Sequence, residues 1–205
     1  MPEYYFDIET CARGDKPDMA NDEIIAITWQ AVDNHTGLPR SPLRILKAWE
    51  SSEEEILRQF YPVFDPDYPW SFVPVGNNLS FDFTSLIYRY RKYGREIKAW
   101  KLFNERPNVD IKSLLVMCNG GSFKGCGLNN FTRKAHSGEK ILEWYDAGDY
   151  GAIEEYIRNE TEAFLELYQH LLKTMPELWK GFAREIGLEI PGESQKQQEE
   201  SNDQD

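Results

Sequence analysis

The stretch Tyr4-Tyr5-Phe6-Asp7-Ile8-Glu9-Thr10 places two acids inside an apolar, aromatic run near the start of the chain. The run predicts a β-strand, and its aromatic residues favour a buried, central position in a sheet. Because residues two apart on a strand share a face, we expect Asp7 and Glu9 side by side. Burial of adjacent carboxylates is tolerable when a cation such as Mg²⁺ or Mn²⁺ lies between them. The alternative is an exposed strand end that happens to carry acids.

The rest of the chain alternates between predicted strands and helices. Further strands are predicted over residues 23–32, 44–49 and 71–75 and from residue 108, and helices over residues 51–64, 84–93, 128–134, 152–172 and 176–186. This order predicts an α/β fold with a mixed five-stranded sheet, antiparallel in its first three strands and flanked by helices. We expect one domain over residues 1–190. The acidic tail, residues 191–205, lacks apolar anchors and is expected to be disordered.

Composition narrows the class of protein. The chain has 205 residues, of which 40% are hydrophobic, and this is ordinary for a globular domain. It has no apolar run long enough to span a bilayer and no signal-peptide pattern at its start, so we expect a cytoplasmic protein without a membrane partner. The three cysteines are too few and too scattered for a disulfide framework or a zinc site.

The net charge of −12 is unevenly distributed along the chain. Residues 86–140 carry 12 basic and 4 acidic side chains, which gives this segment a net charge of +8. One basic segment in an acidic protein is typical of a local surface that binds a polyanion such as nucleic acid. The alternative is a solvated face whose cations pair with acids elsewhere in the chain.

A second polar group follows the predicted fourth strand, in the sequence Val75-Gly76-Asn77-Asn78-Leu79-Ser80-Phe81-Asp82. Asp82 is expected at the start of a helix. Aspartate is a favoured N-cap residue, which would explain it without any further function. The other interpretation places Asp82 beside the acids of the first strand, as a further carboxylate for a metal site.

An acid also interrupts the apolar stripe of the helix predicted over residues 152–172. The stripe runs through Ile153, Tyr156, Ile157, Phe164, Leu167, Tyr168 and Leu171, and the residue that should continue it is Glu160. Tyr156 lies four residues earlier, so it projects from the same face as Glu160. This position favours a functional carboxylate. The alternative is a glutamate at the edge of the stripe, paired with a cation such as Arg158.

Together these motifs resemble those of the DnaQ-like, DEDD superfamily of exonucleases, which has a ribonuclease H-like fold. The matching residues are Asp7-x-Glu9, Gly76-x-Asn78-x-x-Phe81-Asp82, and Tyr156 four residues before an acid. A tyrosine at the position of Tyr156 resembles the pattern of the superfamily's tyrosine subclass. This subclass is related to the proofreading domain of family B DNA polymerases. Residues 110–115 and 127–131 are similar to that group's fifth strand and following helix. The resemblance spans about residues 3–172, and it departs from the family at Glu160, where the family has aspartate.

The resemblance implies a 3′–5′ exonuclease that hydrolyses single-stranded DNA or RNA with two Mg²⁺ or Mn²⁺ ions. It implies that Asp7 bridges both ions, that Glu9 and Glu160 complete one site, and that Asp82 holds the other. Tyr156 would orient the attacking water. The expected substrate-binding residues are Thr10, Asn78, Phe81, Arg89, Lys92, Arg133 and Lys134.

Two rival interpretations remain open at this point. The first is a catalytically impaired exonuclease-like module that binds nucleic acid or protein, in which Glu160 has replaced the family's aspartate. The second is a phosphate-handling enzyme with Asp7 as a nucleophile. Such enzymes carry a second aspartate two residues on, and Glu9 fits that pattern poorly. The sequence predicts neither the oligomeric state nor a choice between DNA and RNA.

Overall fold

The structure, a computed structural model, describes residues 2–133 and 138–190. Its centre is a five-stranded sheet in the order β3-β2-β1-β4-β5. The strands are β1 (Glu3–Cys11), β2 (Glu23–Val32), β3 (Arg44–Lys47), β4 (Val73–Gly76) and β5 (Val109–Asp110). The β1–β2 and β2–β3 pairs are antiparallel, whereas β1–β4 and β4–β5 are parallel. This confirms the predicted mixed sheet, with the acidic strand β1 in the middle.

Five α-helices flank the sheet in the described part of the chain. They are α1 (Glu53–Phe64), α2 (Leu79–Lys92), α3 (Lys112–Cys118), α4 (Ile141–Ala147) and α5 (Tyr150–Glu185). Ser52 caps α1, since its hydroxyl accepts a hydrogen bond from the Glu55 amide. No helix among the described residues combines the length and apolar character needed to cross a membrane.

Alternation along β1 divides its side chains between two layers. Phe6 and Ile8 pack into one core with residues of α1 and α2. Tyr5 packs with Phe164 of α5 on the opposite face, and Cys11 packs with Tyr156 there as well. Since Asp7 and Glu9 share this second face with Tyr5 and Cys11, the fold directs both acids toward α5.

The start of α2 differs from the sequence expectation. The helix begins at Leu79, five residues before the predicted position 84, and Asp82 lies within its first turn rather than at its N-cap. Asn78 occupies the N-cap in a left-handed conformation with φ of 70°. The carboxylate of Asp110 accepts hydrogen bonds from the backbone amides of Asn78 and Leu79 at 2.8 and 2.9 Å. A residue distant in sequence therefore supplies the acceptor that starts this helix.

The C-terminal helices also differ from the prediction. The break expected before Pro176 is wrong, because α5 continues through Pro176 as a single helix of 36 residues. Proline removes one backbone hydrogen bond, and a helix tolerates that local loss when its packing continues on both sides. The predicted helix over residues 128–134 is a short 3-10 turn, Leu128–Asn130, and α4 was not predicted. The predictions for Lys134 and for the tail at residues 191–205 lie outside the described residues.

The third strand is shorter than expected. It ends at Lys47, and residues Ala48–Glu50 form a 3-10 turn that leads toward α1. The cysteines are free thiols, with Cys11 and Cys126 buried and Cys118 exposed.

Candidate metal centre

Three carboxylates meet between the central strand and the long helix. Asp7 and Glu9 come from β1, and Glu160 comes from α5. One oxygen of each lies within 4.8 Å of the others, and Glu9 is buried while Asp7 and Glu160 are half-buried. Carboxylate oxygens gathered at this spacing are the donor set that Mg²⁺, Mn²⁺ or Ca²⁺ prefers. The structure thus brings together three of the four predicted metal ligands.

Two buried tyrosines lie beside the carboxylates, and the negative charges of the carboxylates raise the pKa of both. Burial raises the pKa of Tyr156 far above its ordinary value, and the charges of Glu9 and Glu160 raise it further. The Tyr156 hydroxyl also donates a hydrogen bond to Glu160. Burial raises the pKa of Tyr5 well above its ordinary value too, with contributions from Asp7 and Glu160. Both shifts indicate a concentration of negative charge in a poorly solvated place, and a divalent cation fits such a place.

Asp82 lies beside this cluster but is not one of its members. Its side chain is buried, and one carboxylate oxygen accepts a hydrogen bond from the backbone amide of Ile8 at 3.1 Å. Pairing of β1 with β4 extends only to Tyr5, so Asp82 supplies an acceptor for β1 beyond that point. Burial, followed by the charge of Asp7, raises the pKa of Asp82 well above its ordinary value. Asp7, Glu9 and Glu160 therefore form the tight group with Asp82 beside it, and the role of Asp82 as a metal ligand stays a prediction.

The turn that leads into α2 is held close to β1. A methyl carbon added at Gly76 would lie 2.8 Å from the carbonyl oxygen of Phe6, which is closer than real side chains approach backbone. The side-chain oxygen of Asn78 accepts a hydrogen bond from the Lys112 ammonium at 2.7 Å. Asp110 and Lys112 thus position the turn, a role that the sequence analysis missed. The available signal was a pair of polar residues where a predicted strand ended.

The prediction that Arg89 binds substrate is contradicted. Arg89 is buried on the helix α2, and its guanidinium donates two hydrogen bonds to the carboxylate of Glu53, at 2.6 and 2.5 Å. A third hydrogen bond reaches the backbone carbonyl of Asn21 at 3.0 Å. The buried Glu53 is surrounded by donors in turn, since it also accepts from the amide of Ile24 at 2.8 Å. Arg89 therefore holds α1, α2 and β2 together and is not exposed to a phosphate chain.

The other predicted substrate-binding residues come from several different elements. Lys92 is exposed, and its ammonium lies 3.5 Å from the carboxylate of Glu53. It follows Asp82 by ten residues on α2, which corresponds to about 15 Å along the helix axis. Thr10 is half-buried near the end of β1, and Phe81 is half-buried in the first turn of α2. Arg133 is exposed and lines a cleft of about 520 Å³ together with Glu166 and His170 of α5.

Several solved structures resemble this chain. The family B DNA polymerase from the archaeon Pyrobaculum calidifontis matches 83% of this chain and 24% of its own, with a TM-score of 0.61 and 21% identity. Zinc-bound E. coli exonuclease I in complex with single-stranded DNA matches 87% of this chain and 42% of its own, with a TM-score of 0.60 and 12% identity. E. coli exonuclease I with a dT13 oligonucleotide gives a TM-score of 0.56 at 10% identity.

The present chain spans about a quarter of the polymerase and less than half of exonuclease I. No family model matches its sequence, and no curated protein matches it significantly. The sheet order and the likeness to these structures indicate the same fold. The chain has a ribonuclease H-like fold, which it shares with these structures.

Proposed function

We propose that this protein is a metal-dependent 3′–5′ exonuclease that hydrolyses phosphodiester bonds of single-stranded DNA or RNA. The observation that carries the proposal is the group of three carboxylate oxygens, within 4.8 Å of one another, on the central strand and the last helix. Similar structures include an exonuclease I bound to single-stranded DNA, which supports the same class of substrate. The exposed cations of residues 86–140, without the buried Arg89 and Arg106, are the proposed contacts for substrate phosphates.

The acids of the cluster would hold two Mg²⁺ or Mn²⁺ ions. Asp7, Glu9 and Glu160 supply the oxygen ligands, and Asp82 lies next to Asp7 as a ligand reached directly or through water. Divalent cations at such a site neutralise the charge of the phosphate and lower the pKa of the attacking water. Burial and the charge of Asp7 raise the pKa of Asp82, and a cation beside it would favour the ionised carboxylate because it offsets the charge of Asp7.

Tyr156 is proposed to orient the attacking water through its hydroxyl. Its raised pKa keeps the hydroxyl protonated at neutral pH, so it is not a general base. Because its one proton is donated to Glu160, the Tyr156 oxygen would accept a hydrogen bond from the water. The hydrogen bond to Glu160 fixes the direction of the hydroxyl. Tyr156→Phe should therefore lower the rate of cleavage while leaving metal binding intact, since the phenyl ring keeps its packing against Trp144.

The second candidate function is a catalytically impaired module that binds nucleic acid without cutting it. The longer side chain of Glu160 motivates this alternative, because a displacement of about 1 Å can lower a rate by ~10²-fold. The carboxylate of Glu160 nevertheless reaches the cluster with Asp7 and Glu9. This position of the carboxylate favours an active exonuclease over the impaired module. Glu160→Asp should retain or raise activity, and an impaired module that Glu160→Asp converts into an enzyme would support the alternative.

The test uses single-stranded DNA and RNA oligonucleotides labelled at the 5′ end, incubated with the protein in Mg²⁺ or Mn²⁺. A 3′–5′ exonuclease yields a ladder of labelled, progressively shorter strands, whereas cleavage from the other end releases a labelled mononucleotide at once. Asp7→Asn should abolish the ladder and Glu162→Gln, an exposed neighbour of the site, should leave it unchanged. Absence of shortening with either metal, or shortening that survives Asp7→Asn, would contradict the proposal.

A further inference from the structure

The end of α5 carries an apolar stripe that leaves the body of the domain. Leu172, Met175, Trp179, Phe182 and Ile186 follow a spacing of three and four residues, the pattern of a helix that packs along a second helix. Leu172 and Met175 still pack against the domain core. Beyond them the stripe is open to solvent, with exposures of 52% for Trp179, 51% for Phe182 and 51% for Ile186.

A groove lies beside the same stripe, closer to the sheet. Its volume is about 610 Å³, and its walls come from β5, α3 and α5. The lining is mostly apolar and includes Val109, Ile111, Leu114, Met175, Pro176 and Trp179. The helix end thus presents projecting apolar side chains next to an apolar recess. Exposed apolar surface of this extent on one helix is typical of an interaction site.

The stretches outside the described ranges carry too few apolar side chains to cover this surface. The residues outside the described ranges are Met1, residues 134–137 and residues 191–205. The last of these, Pro-Gly-Glu-Ser-Gln-Lys-Gln-Gln-Glu-Glu-Ser-Asn-Asp-Gln-Asp, holds no aliphatic or aromatic side chain apart from its proline. Residues 134–137 contribute a single alanine. A second molecule can instead remove the stripe from water.

We propose that the second molecule is another copy of this chain, with the two α5 helices antiparallel and crossing near Trp179. In that arrangement Phe182 and Ile186 of each copy lie against Met175 and Leu172 of the other, so the projecting half of one stripe meets the recessed half of its mate. A parallel arrangement would instead bring the two projecting halves together and leave both grooves empty. The antiparallel contact is self-complementary, as a two-fold symmetric interface requires.

The area available predicts a weak dimer. With about 200 Å² for a large side chain, the exposed fractions of Leu178, Trp179, Phe182 and Ile186 amount to roughly 450 Å² per copy. Two copies would then bury roughly 900 Å² before the groove walls are counted, close to the ~1,000 Å² at which specific interfaces begin. We therefore expect a dimer that forms at micromolar concentrations and dissociates on dilution. The interface does not involve the carboxylate cluster, so it is independent of the proposed nuclease activity.

Sedimentation velocity of the full chain tests the association. The parent should change from monomer to dimer as its concentration rises through the micromolar range, and Phe182→Lys should raise the dimer dissociation constant at least ~30-fold, as for a central aromatic anchor. Glu177→Gln, on the opposite face of α5, is the matched control and should leave the constant unchanged. Circular dichroism verifies that each variant is folded. A parent that is monomeric at every concentration, or a Phe182→Lys variant that dimerises like the parent, would overturn the proposal.

Disulfide cross-linking tests the orientation of the helices. In a Cys118→Ser background, which removes the exposed native thiol, Leu178→Cys lies next to the crossing point and should form a cross-linked dimer on oxidation. Ile186→Cys should not, because seven residues on each side of the crossing separate the two thiols by about 21 Å. Efficient cross-linking of Ile186→Cys would show that the helices run parallel and would refute the antiparallel arrangement.

Discussion

Glu160→Gln should change the stability of this protein in opposite directions in the absence and presence of metal. Glutamine keeps the length of the side chain and a carbonyl oxygen that can accept from Tyr156, but it removes one of three neighbouring negative charges. Two unit charges 4.8 Å apart repel by about 3.5 kcal/mol at an effective dielectric constant of 20. Asp7 and Glu160 are half-exposed, so water and salt reduce this to roughly 1 kcal/mol.

Without metal, the variant should therefore melt above the parent, since relief of roughly 1 kcal/mol corresponds to about 2–4 °C for a chain of this size. With metal at about one hundred times its dissociation constant, the parent should gain about 2.7 kcal/mol. That gain raises its melting temperature by about 5–11 °C. The Glu160→Gln variant should lose most of the gain, because one of its ligand oxygens is no longer charged.

Differential scanning calorimetry in chelator and in Mn²⁺ measures both effects. Glu162→Gln removes the same charge from an exposed position on the same helix and should behave like the parent in both conditions. The reasoning is refuted if Glu160→Gln melts below the parent without metal and also keeps the full rise in Mn²⁺. That result would mean that Glu160 serves the fold through a partner other than a cation.

Three further predictions concern the structure that holds the site. Gly76→Ala should lower the free energy of unfolding by about 1–3 kcal/mol, because its methyl carbon would lie 2.8 Å from the Phe6 carbonyl oxygen, and an unchanged melting temperature would contradict this close approach. Arg89→Met should cost about 3–5 kcal/mol in urea unfolding, since it leaves Glu53 buried without its main partner, and adding Glu53→Met should recover much of the loss. Burial opposes ionisation of Glu53, but its hydrogen bonds, led by Arg89, lower its pKa below the ordinary value. The ionised Glu53 therefore contributes its full stabilisation above the pKa of an unfolded glutamate, about 4.3, and this contribution is lost as the pH falls through the lower pKa of the folded state. Glu53→Gln should consequently make the free energy of unfolding less dependent on pH on the acid side.

Local patterns predicted the parts of the site that depend on periodicity. The alternation of β1 placed Asp7 and Glu9 on one face, and the helical stripe of α5 placed Glu160 toward the core. Both patterns survive folding because backbone geometry alone sets which residues share a face. The strand bounds of β2, Glu23–Val32, were predicted for the same reason, as its apolar run is continuous.

Contacts between distant residues were beyond the reach of such patterns. The carboxylate of Asp82 accepts a hydrogen bond from the amide of Ile8, 74 residues earlier, and no local pattern indicated this contact. Arg89 was assigned to substrate, yet its partner is Glu53, 36 residues earlier. The partner of a buried charged residue cannot be predicted from the local sequence, because for Arg89 and Glu53 it depends on how α1 and α2 pack.

The sequence by itself determined the α/β class, the central acidic strand and the three residues of the carboxylate cluster, since each follows from a spacing of two or of three to four residues. The tertiary structure alone decided that Asp110 starts α2, that Arg89 is an internal ion-pair partner, and that α5 runs on through Pro176 to expose its apolar end. These outcomes depend on which elements become neighbours in space. Burial then selects the partners, because an unpaired polar group inside the protein is too costly to keep.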